Sequence, residues 1–348
     1  MAAGGRKKAR AEKRIAYTGE NHELAAESTP RRGDYRLPSA HGVQAHLETQ
    51  ILLNLGTSGS WWAHPTGIAS VTPGRGIAVV RLDKRTLING KSYDLAEHVL
   101  ANLLPYAETG AIQVNGVLGL RVSSIKGREL RVGLAEGGAT IALRSTAKTD
   151  WVGLIEQRRF EIEGTEFTPL WQQSGITDYE RETRARYPSV YTAEEQIAWL
   201  GSGLLRRINL FASASSAYST RWWMTGDNLI FELDRVPEIS ADHDVFLGEL
   251  THQIWGIALR VADRHCDCAS AAAQHRDSYQ CTYLLAHRGG LPGLMQIRFR
   301  TVEPYNRADL RQQLRDTGAT PRWLARVLPR ARTAGSRASR VRGEQGRA

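Results

Sequence analysis

The chain has 348 residues, of which 41% are hydrophobic and 24% charged, so it is long enough for two domains with ordinary cores and too apolar to be disordered throughout. No apolar run approaches the ~20 residues that a membrane span needs, and the basic N-terminus lacks the apolar segment of a secretory signal. Three cysteines are a small, odd number that fits a reducing compartment, so we expect a cytoplasmic protein. Because no apolar run is long enough, we expect no membrane partner.

The net charge of +10 is concentrated at the two ends of the chain. Residues 1–14 carry six Lys or Arg against one Glu, and residues 322–348 carry eight Arg against one Glu, which leaves residues 15–321 at −2. Cationic ends attract polyanions by counterion release, whatever their fold. Solvated low-complexity tails are the alternative interpretation. The cations assigned to phosphate neutralisation are Arg6, Lys7, Lys8, Arg10, Lys13, Arg14, Arg322, Arg326, Arg330 and Arg332.

Residues 1–40 are expected to form a basic, mostly disordered arm, because few of their side chains are suited to filling a core. A short helix over Lys7 to Tyr17, ending at Gly19, is the only regular structure that we expect there.

Residues 41–150 read as a first unit of helix, strand, helix and three strands. Apolar residues at helical spacing predict a helix over residues 42–55 that ends at Gly56. A strand follows over residues 76–83, and Asp94 with Glu97 forms a capping-box pattern that begins the next helix. Alternating apolar residues then predict three short strands, the last two joined at Gly137.

Residues 191–302 repeat this order after a linker, 151–190, that contains one short helix. The segments AVVRLD and LIFELD occupy equivalent strands, Leu-Arg-Val recurs at residues 120–122 and 259–261, and a Gly-Gly turn recurs at residues 289–290. The sequence therefore predicts an α+β fold of two pseudo-repeated βαβββ units, each preceded by a helix, with antiparallel sheets and helices on one face. C-terminal helices over residues 303–330 and a disordered basic tail, 331–348, complete the chain.

All three cysteines lie within sixteen residues of the second unit. Thiolate and imidazole are preferred zinc ligands, so Cys266, Cys268, Cys281 and His287 are the candidate set for a structural zinc ion. The Cys-x-Cys spacing lacks a usual zinc knuckle, and strand alternation directs Cys266 away from the face of Val261. Redox chemistry or plain packing remain alternatives.

The function expected from these features is non-catalytic association with nucleic acid, DNA or RNA, through the basic termini. One alternative is a protein–protein scaffold that docks through the amphipathic segment Pro321 to Leu328. The other is a zinc-dependent or thiol enzyme with its site near residues 265–287. No motif assigns a catalytic residue.

Overall fold

The computed structural model describes residues 3–329 except residues 31–33, 57–60, 63–66, 89–90, 109, 111–112, 147, 238, 240–242 and 267–279. Up to residue 150 the described residues form α1 (Ala3–Thr18), α2 (His22–Ser28), α3 (Gly42–Gly56), β1 (Trp61–Trp62), β2 (Ile68–Pro73), β3 (Ile77–Leu82), β4 (Arg85–Ile88), β5 (Lys91–Asp94), α4 (Leu95–Leu103), β6 (Tyr106–Glu108), β7 (Val114–Asn115), β8 (Leu120–Lys126), β9 (Glu129–Leu134) and β10 (Thr140–Ser145).

After residue 150 the described residues form eight further helices and six further strands. They are α5 (Trp151–Glu163), β11 (Phe167–Pro169), α6 (Asp178–Arg186), α7 (Pro188–Gln196), α8 (Ala198–Leu205), α9 (Asn209–Ala214), β12 (Ser219–Thr225), β13 (Asn228–Arg235), α10 (His243–Leu250), β14 (Leu259–His265), β15 (Gln280–His287), β16 (Leu294–Thr301), α11 (Arg307–Asp316) and α12 (Pro321–Val327).

Two five-stranded mixed sheets dominate this α+β fold, and they share one strand order. The first sheet is ordered β2-β3-β10-β9-β8 and the second β12-β13-β16-β15-β14. In each, the two central strands, β3 with β10 and β13 with β16, are parallel and every other pair is antiparallel. Two three-stranded sheets, β1-β4-β5 and β11-β6-β7, are peripheral additions.

The prediction of antiparallel sheets is wrong for these central pairs. A helix crossover returns the chain to the end of the sheet at which the preceding strand began, so β8 runs in the same direction as β3. Two hairpins later β10 again runs in that direction, and it lies beside β3. Each sheet also has an edge strand that the βαβββ pattern lacked, β2 in the first and β12 in the second.

Local sequence signals explain where several elements begin and turn. Asp94 accepts hydrogen bonds from the amides of Ala96 and Glu97 and so caps α4, as its sequence position predicted. Gly137 and Gly138, between β9 and β10, have φ angles of 84° and 69°, a left-handed backbone that glycine adopts without a steric penalty. The hairpin turns are therefore encoded locally.

The helix that precedes each sheet packs against its counterpart. α3 contacts α8, and it also contacts β10 of the first sheet and β12 of the second, so one hydrophobic cluster includes side chains of both sheets. Within this interior, Glu48 of α3 and Arg206, which follows α8, form an ion pair with both side chains at 0% exposure. The Arg206 guanidinium also donates to the carbonyl oxygens of Pro38 and Gly74.

The N-terminal region corrects the expectation of a mostly disordered arm. α1 and α2 occupy most of its described residues, and α1 contacts α9 and β2. Tyr17 is buried, stacks on Trp255 with ring centroids 6.2 Å apart, and donates to the carbonyl oxygen and a carboxylate oxygen of Glu249. One face of this polar segment is thus part of the core.

The segment expected to be a linker, 151–190, also contains more structure than one short helix. It holds α5, β11 and α6, and its boundary at residue 190 falls inside α7. The single helix predicted to precede the second unit is instead three helices, α7, α8 and α9. None of the helices within the described ranges combines the length and apolar character needed to cross a membrane.

Candidate functional site

The cations of α1 divide into an engaged and an available group. Lys13 Nζ lies 2.7 Å from a Glu249 carboxylate oxygen, buried Arg14 pairs with Glu20, and the Arg10 guanidinium lies 4.1 Å from the centre of the Tyr35 ring. The available cations are Arg6, Lys7 and Lys8. Half of the N-terminal set predicted to contact phosphate is therefore committed to contacts within the chain.

The C-terminal cations lie on the outer side of α12. Arg322 and Arg326 are exposed, and Arg326 donates to the carbonyl oxygen of Ser213 at 2.6 Å. Partial burial, together with the neighbouring Arg322, lowers the pKa of Arg326. Arg330 and Arg332 lie outside the described residues.

The apolar face of α12, on which a docking role depended, packs inside this chain. Trp323, Leu324 and Val327 form a small hydrophobic cluster with residues of α11 and with Tyr218 and Val236. A partner would have to displace these contacts before it reached the helix.

A larger group of cations lies on the outer face of the first sheet, which we call the basic face. Its members line a depression of about 550 Å³ at the end of β3, β9 and β10 and the β8–β9 turn. The members that lie in strands alternate with core-facing residues, which is why they point to the opposite side of the sheet, whereas Arg128 belongs to the turn. The basic face consists of Arg81, Lys126, Arg128, Arg131 and Arg144.

Strand register sets the charge pattern of the basic face. Arg81, Arg144, Glu129 and Lys126 occupy one row across β3, β10, β9 and β8. Arg81 and Arg144 are thus direct neighbours of like charge, an arrangement that costs stability in a sheet. Arg81, Lys126 and Arg128 are exposed and form no ion pair within the described parts of the chain.

Glu129 is the single carboxylate in the depression. Its oxygens accept hydrogen bonds from Arg131 at 2.6 Å and from Arg144 at 2.8 Å. Burial raises the pKa of Glu129, but the two guanidinium groups outweigh that effect and hold its pKa below the usual value. With five cations against one ionised carboxylate, the depression carries a local charge of about +4.

The second sheet carries a related but better compensated outer face. There Glu232 lies between Arg221 and Arg298 in the same kind of row, and Arg300 also donates to it. The Arg298 guanidinium lies 5.5 Å from the centre of the Trp223 ring. The position of Arg81 in the first sheet is matched here by the carboxylate of Glu232, so the neighbouring cations Arg81 and Arg144 have no counterpart at this position of the second sheet.

A separate cavity of about 840 Å³ lies where the two sheet units meet. Its walls are the start of α3, the edge of the first sheet, α6, α7, α8 and the β15–β16 turn. Representative lining residues are His46, Leu134, Tyr191, Trp199 and Pro292. This volume is within the range of small-molecule sites.

Most charges in the cavity wall are already compensated. Glu180 pairs with Arg121 at 2.6 Å, Glu195 pairs with Arg184 at 2.7 Å, and Arg181 pairs with an aspartate. The remaining acid, Glu136, is exposed. The cavity therefore suits an uncharged occupant more than an ion.

Two titratable groups in the cavity have shifted pKa values. Burial lowers the pKa of His46, and its Nδ1 is buried without a hydrogen-bond partner among the described residues. Burial, reinforced by Glu194, raises the pKa of Tyr191 to about 12. Both side chains are thus neutral near pH 7.

The predicted zinc ligands are only partly brought together. Cys266 and Cys281 have Sγ atoms 3.3 Å apart, and His243, which the sequence analysis did not select, joins them. His287 lies at the far end of β15, packs on Trp199 and accepts amide hydrogen bonds of the following turn. Cys268 lies outside the described residues.

Sequence reasoning missed the basic face because its residues come from three separated stretches of the chain. Alternation within the predicted strands could have revealed it, because Arg81, Arg131 and Arg144 alternate with apolar residues and therefore lie on the opposite face of the sheet. Comparison with protein-family models, curated proteins and solved structures finds no significant match to this chain.

Proposed function

We propose that this protein is a non-catalytic nucleic-acid-binding protein whose principal contact surface is the basic face of the first sheet. The observation that carries the proposal is the local excess of five cations over one carboxylate in a single depression. A phosphate placed between Arg81 and Arg144 would relieve the repulsion of these neighbours and accept charge-assisted hydrogen bonds from both.

The available cations of α1 and the exposed arginines of the C-terminal segment extend this electrostatic contact. Arg6, Lys7 and Lys8 add charge without specific geometry, whereas Arg131 and Arg144 are oriented by Glu129. Trp223 on the second sheet supplies an aromatic surface beside Arg298, the pair of groups on which unpaired bases stack. We therefore expect single strands to bind more tightly than duplexes.

We also propose that the two sheet units arose by duplication. Supporting this are the shared strand order, the parallel central pair and the Gly-Gly turns. Further support comes from a register shift at the equivalent place in each sheet. It lies between Val122 and Ser124 in β8 and between Val261 and Asp263 in β14. The low cysteine content supports a cytoplasmic location.

The test is an oligonucleotide titration at several salt concentrations, followed by fluorescence anisotropy. The variant Arg81→Gln/Lys126→Gln/Arg128→Gln removes three exposed cations that stabilise no described partner. Loss of three phosphate contacts should weaken binding and reduce the slope of log K against log salt by about 3.

The matched control is Arg6→Gln/Lys7→Gln/Lys8→Gln, which removes the same charge from α1. It should weaken binding less than the basic-face variant, and a chain ending at Pro329 measures the share of the six arginines that follow, Arg330 and Arg332 among them. Unchanged affinity in the basic-face variant, or affinity independent of salt, would contradict the proposal.

A second candidate function, favoured by the charge-compensated cavity, is binding of a small uncharged ligand. The neutral probe N-phenyl-1-naphthylamine should bind with a saturable fluorescence increase. Val43→Trp, which fills the cavity from an exposed helix position, should abolish this signal. Val152→Trp, at an exposed position on α5 outside the cavity, should leave it intact, and equal probe binding by both variants would exclude the cavity as the site.

A further inference from the structure

The end of the second sheet brings together three ligand atoms of the type that zinc prefers. His243 is the first residue of α10, Cys266 directly follows β14, and Cys281 is in β15. Their ligand atoms all lie within 4.8 Å of one another. Zn–S bonds of about 2.3 Å and Zn–N bonds of about 2.0 Å place tetrahedral ligands about 3.5–3.8 Å apart, so small side-chain adjustments would complete the site.

A β-bulge explains how Cys266 reaches this position against the expectation from strand alternation. Up to the bulge, Val261 lies opposite Leu285, and beyond it Asp263 lies opposite Leu284. The extra residue on β14 exchanges the two faces of the strand from that point. His265 lies opposite Thr282, so the next residue, Cys266, is directed to the face on which Cys281 lies.

The surroundings of the three side chains suit a bound divalent ion. His243 and Cys281 are buried, and the exposed Cys266 offers a route for the ion. The His243 ring stacks on Phe299 with centroids 4.2 Å apart, which fixes its plane. Two thiolates would neutralise the charge of Zn²⁺, so the loaded site would add no net charge to a largely apolar region.

The two sheet units differ in the connection that joins β8 to β9 and β14 to β15, and a bound metal ion would account for the difference. β8 and β9 are joined by a tight turn at Gly127 and Arg128. β14 and β15 are instead joined by residues 266–279, and a longer connection costs more entropy to close. An ion held at both ends of that connection, and by α10, would offset this cost.

We propose that His243, Cys266 and Cys281 bind one structural Zn²⁺ ion. His287 has no part in the site, because it lies six positions after Cys281 on β15, a distance of about 20 Å along a strand. Binding releases the two thiol protons and leaves a fourth coordination position.

The test measures metal in the full-length protein, purified under reducing conditions and then reconstituted with Zn²⁺ or with Co²⁺. We expect one zinc per chain by mass spectrometry, thiolate-to-cobalt charge transfer in the cobalt form, and a higher Tm in the zinc form. His243→Ala and Cys266→Ser should lose the bound metal and the Tm increase. Cys266→Ser is informative even if Cys281→Ser misfolds, because Cys266 is exposed.

The matched control is His287→Ala, which removes a histidine of the same strand and should retain one zinc per chain. Three results would overturn the assignment. These are reconstituted protein without zinc, a His243→Ala variant that keeps full metal and the cobalt spectrum, and a metal-free protein whose intact mass reveals a Cys266–Cys281 disulfide.

Discussion

At the scale of single residues, Gly56 shows how one position serves two purposes. The sequence predicted that the helix α3 ends at Gly56. The structure adds that a Cβ there would lie 1.8 Å from Nε1 of Trp222, whose indole donates to the carbonyl oxygen of Leu52 at 2.5 Å. The absence of a side chain is what lets the second sheet approach α3.

We therefore expect Gly56→Ala to lower the free energy of unfolding by about 1–3 kcal/mol, because Trp222 must move and its hydrogen bond is strained. Urea denaturation followed by tryptophan fluorescence measures the change. The control is Gly248→Ala on α10, where nothing lies within 4 Å and the better helix propensity of alanine should raise stability by up to about 1 kcal/mol. Equal effects of the two substitutions would refute the packing explanation.

At the scale of elements, α6 is attached to β8 through Glu180. Its carboxylate accepts hydrogen bonds from the Arg121 guanidinium and from the amides of Gly119 and Thr177. Burial raises the pKa of Glu180, but Arg121 and the two amides outweigh burial and hold the pKa below its ordinary value of 4.5. The sequence revealed neither partner, because Arg121 and Glu180 are 59 positions apart.

This pair makes part of the stability depend on pH. Because the folded-state pKa of Glu180 is lowered, its contribution is fully present above pH 4.5 and is lost as the pH falls through the folded-state value. Glu180→Gln should lose about 1.5–3 kcal/mol near neutral pH. Urea denaturation of both proteins should show the difference shrinking below pH 4.5, and a constant difference across this range would contradict the assignment.

The sequence predicted the polar character of α1 correctly, but it did not predict that this helix packs against the rest of the chain. Its buried side includes Arg14 and Thr18, together with the polar hydroxyl of Tyr17. From composition alone, such polar residues are expected to face solvent. They can be buried here because partners such as Glu20 and Glu249, which lie outside α1, accept their hydrogen bonds. A basic amphipathic helix and a solvated arm are therefore indistinguishable by composition.

At the scale of the whole molecule, the two units share an interior. The buried pair of Glu48 and Arg206 joins α3 of the first unit to the end of α8, with Ser202 as a further donor to the carboxylate. Both side chains are fully buried, so each charge depends on the other. The units are consequently expected to unfold together.

Glu48→Gln should lower the free energy of unfolding by about 3–5 kcal/mol, because Arg206 would keep a buried charge without its counter-charge. Denaturation monitored by far-UV circular dichroism and by tryptophan fluorescence should give one coincident transition in both proteins. The helix-surface pair of half-buried Arg158 and exposed Glu161 provides a control, since Glu161→Gln should cost less than about 1 kcal/mol. Two separated transitions would show that the units are independent.

The sequence by itself determined the features that depend on neighbours along the chain. Helices α11 and α12 lie within the residues 303–330 predicted to be helical, the capped start of α4 is confirmed, and the Gly-Gly turns lie between antiparallel strands. These features follow from apolar periodicity, capping side chains and glycine conformations, all of which act over a few residues. The alternation of β3, β9 and β10 likewise determined which side chains face outward.

Only the tertiary structure decided which of these local features meet. The parallel pairing of β3 with β10 placed Arg81 beside Arg144, and the bulge in β14 turned Cys266 toward Cys281 and His243. Register and bulges depend on the packing of whole strands against a core, and a shift of one residue exchanges the two faces. Charge clusters and ligand sets assembled from distant segments are therefore properties of the fold, even though every side chain in them is written in the sequence.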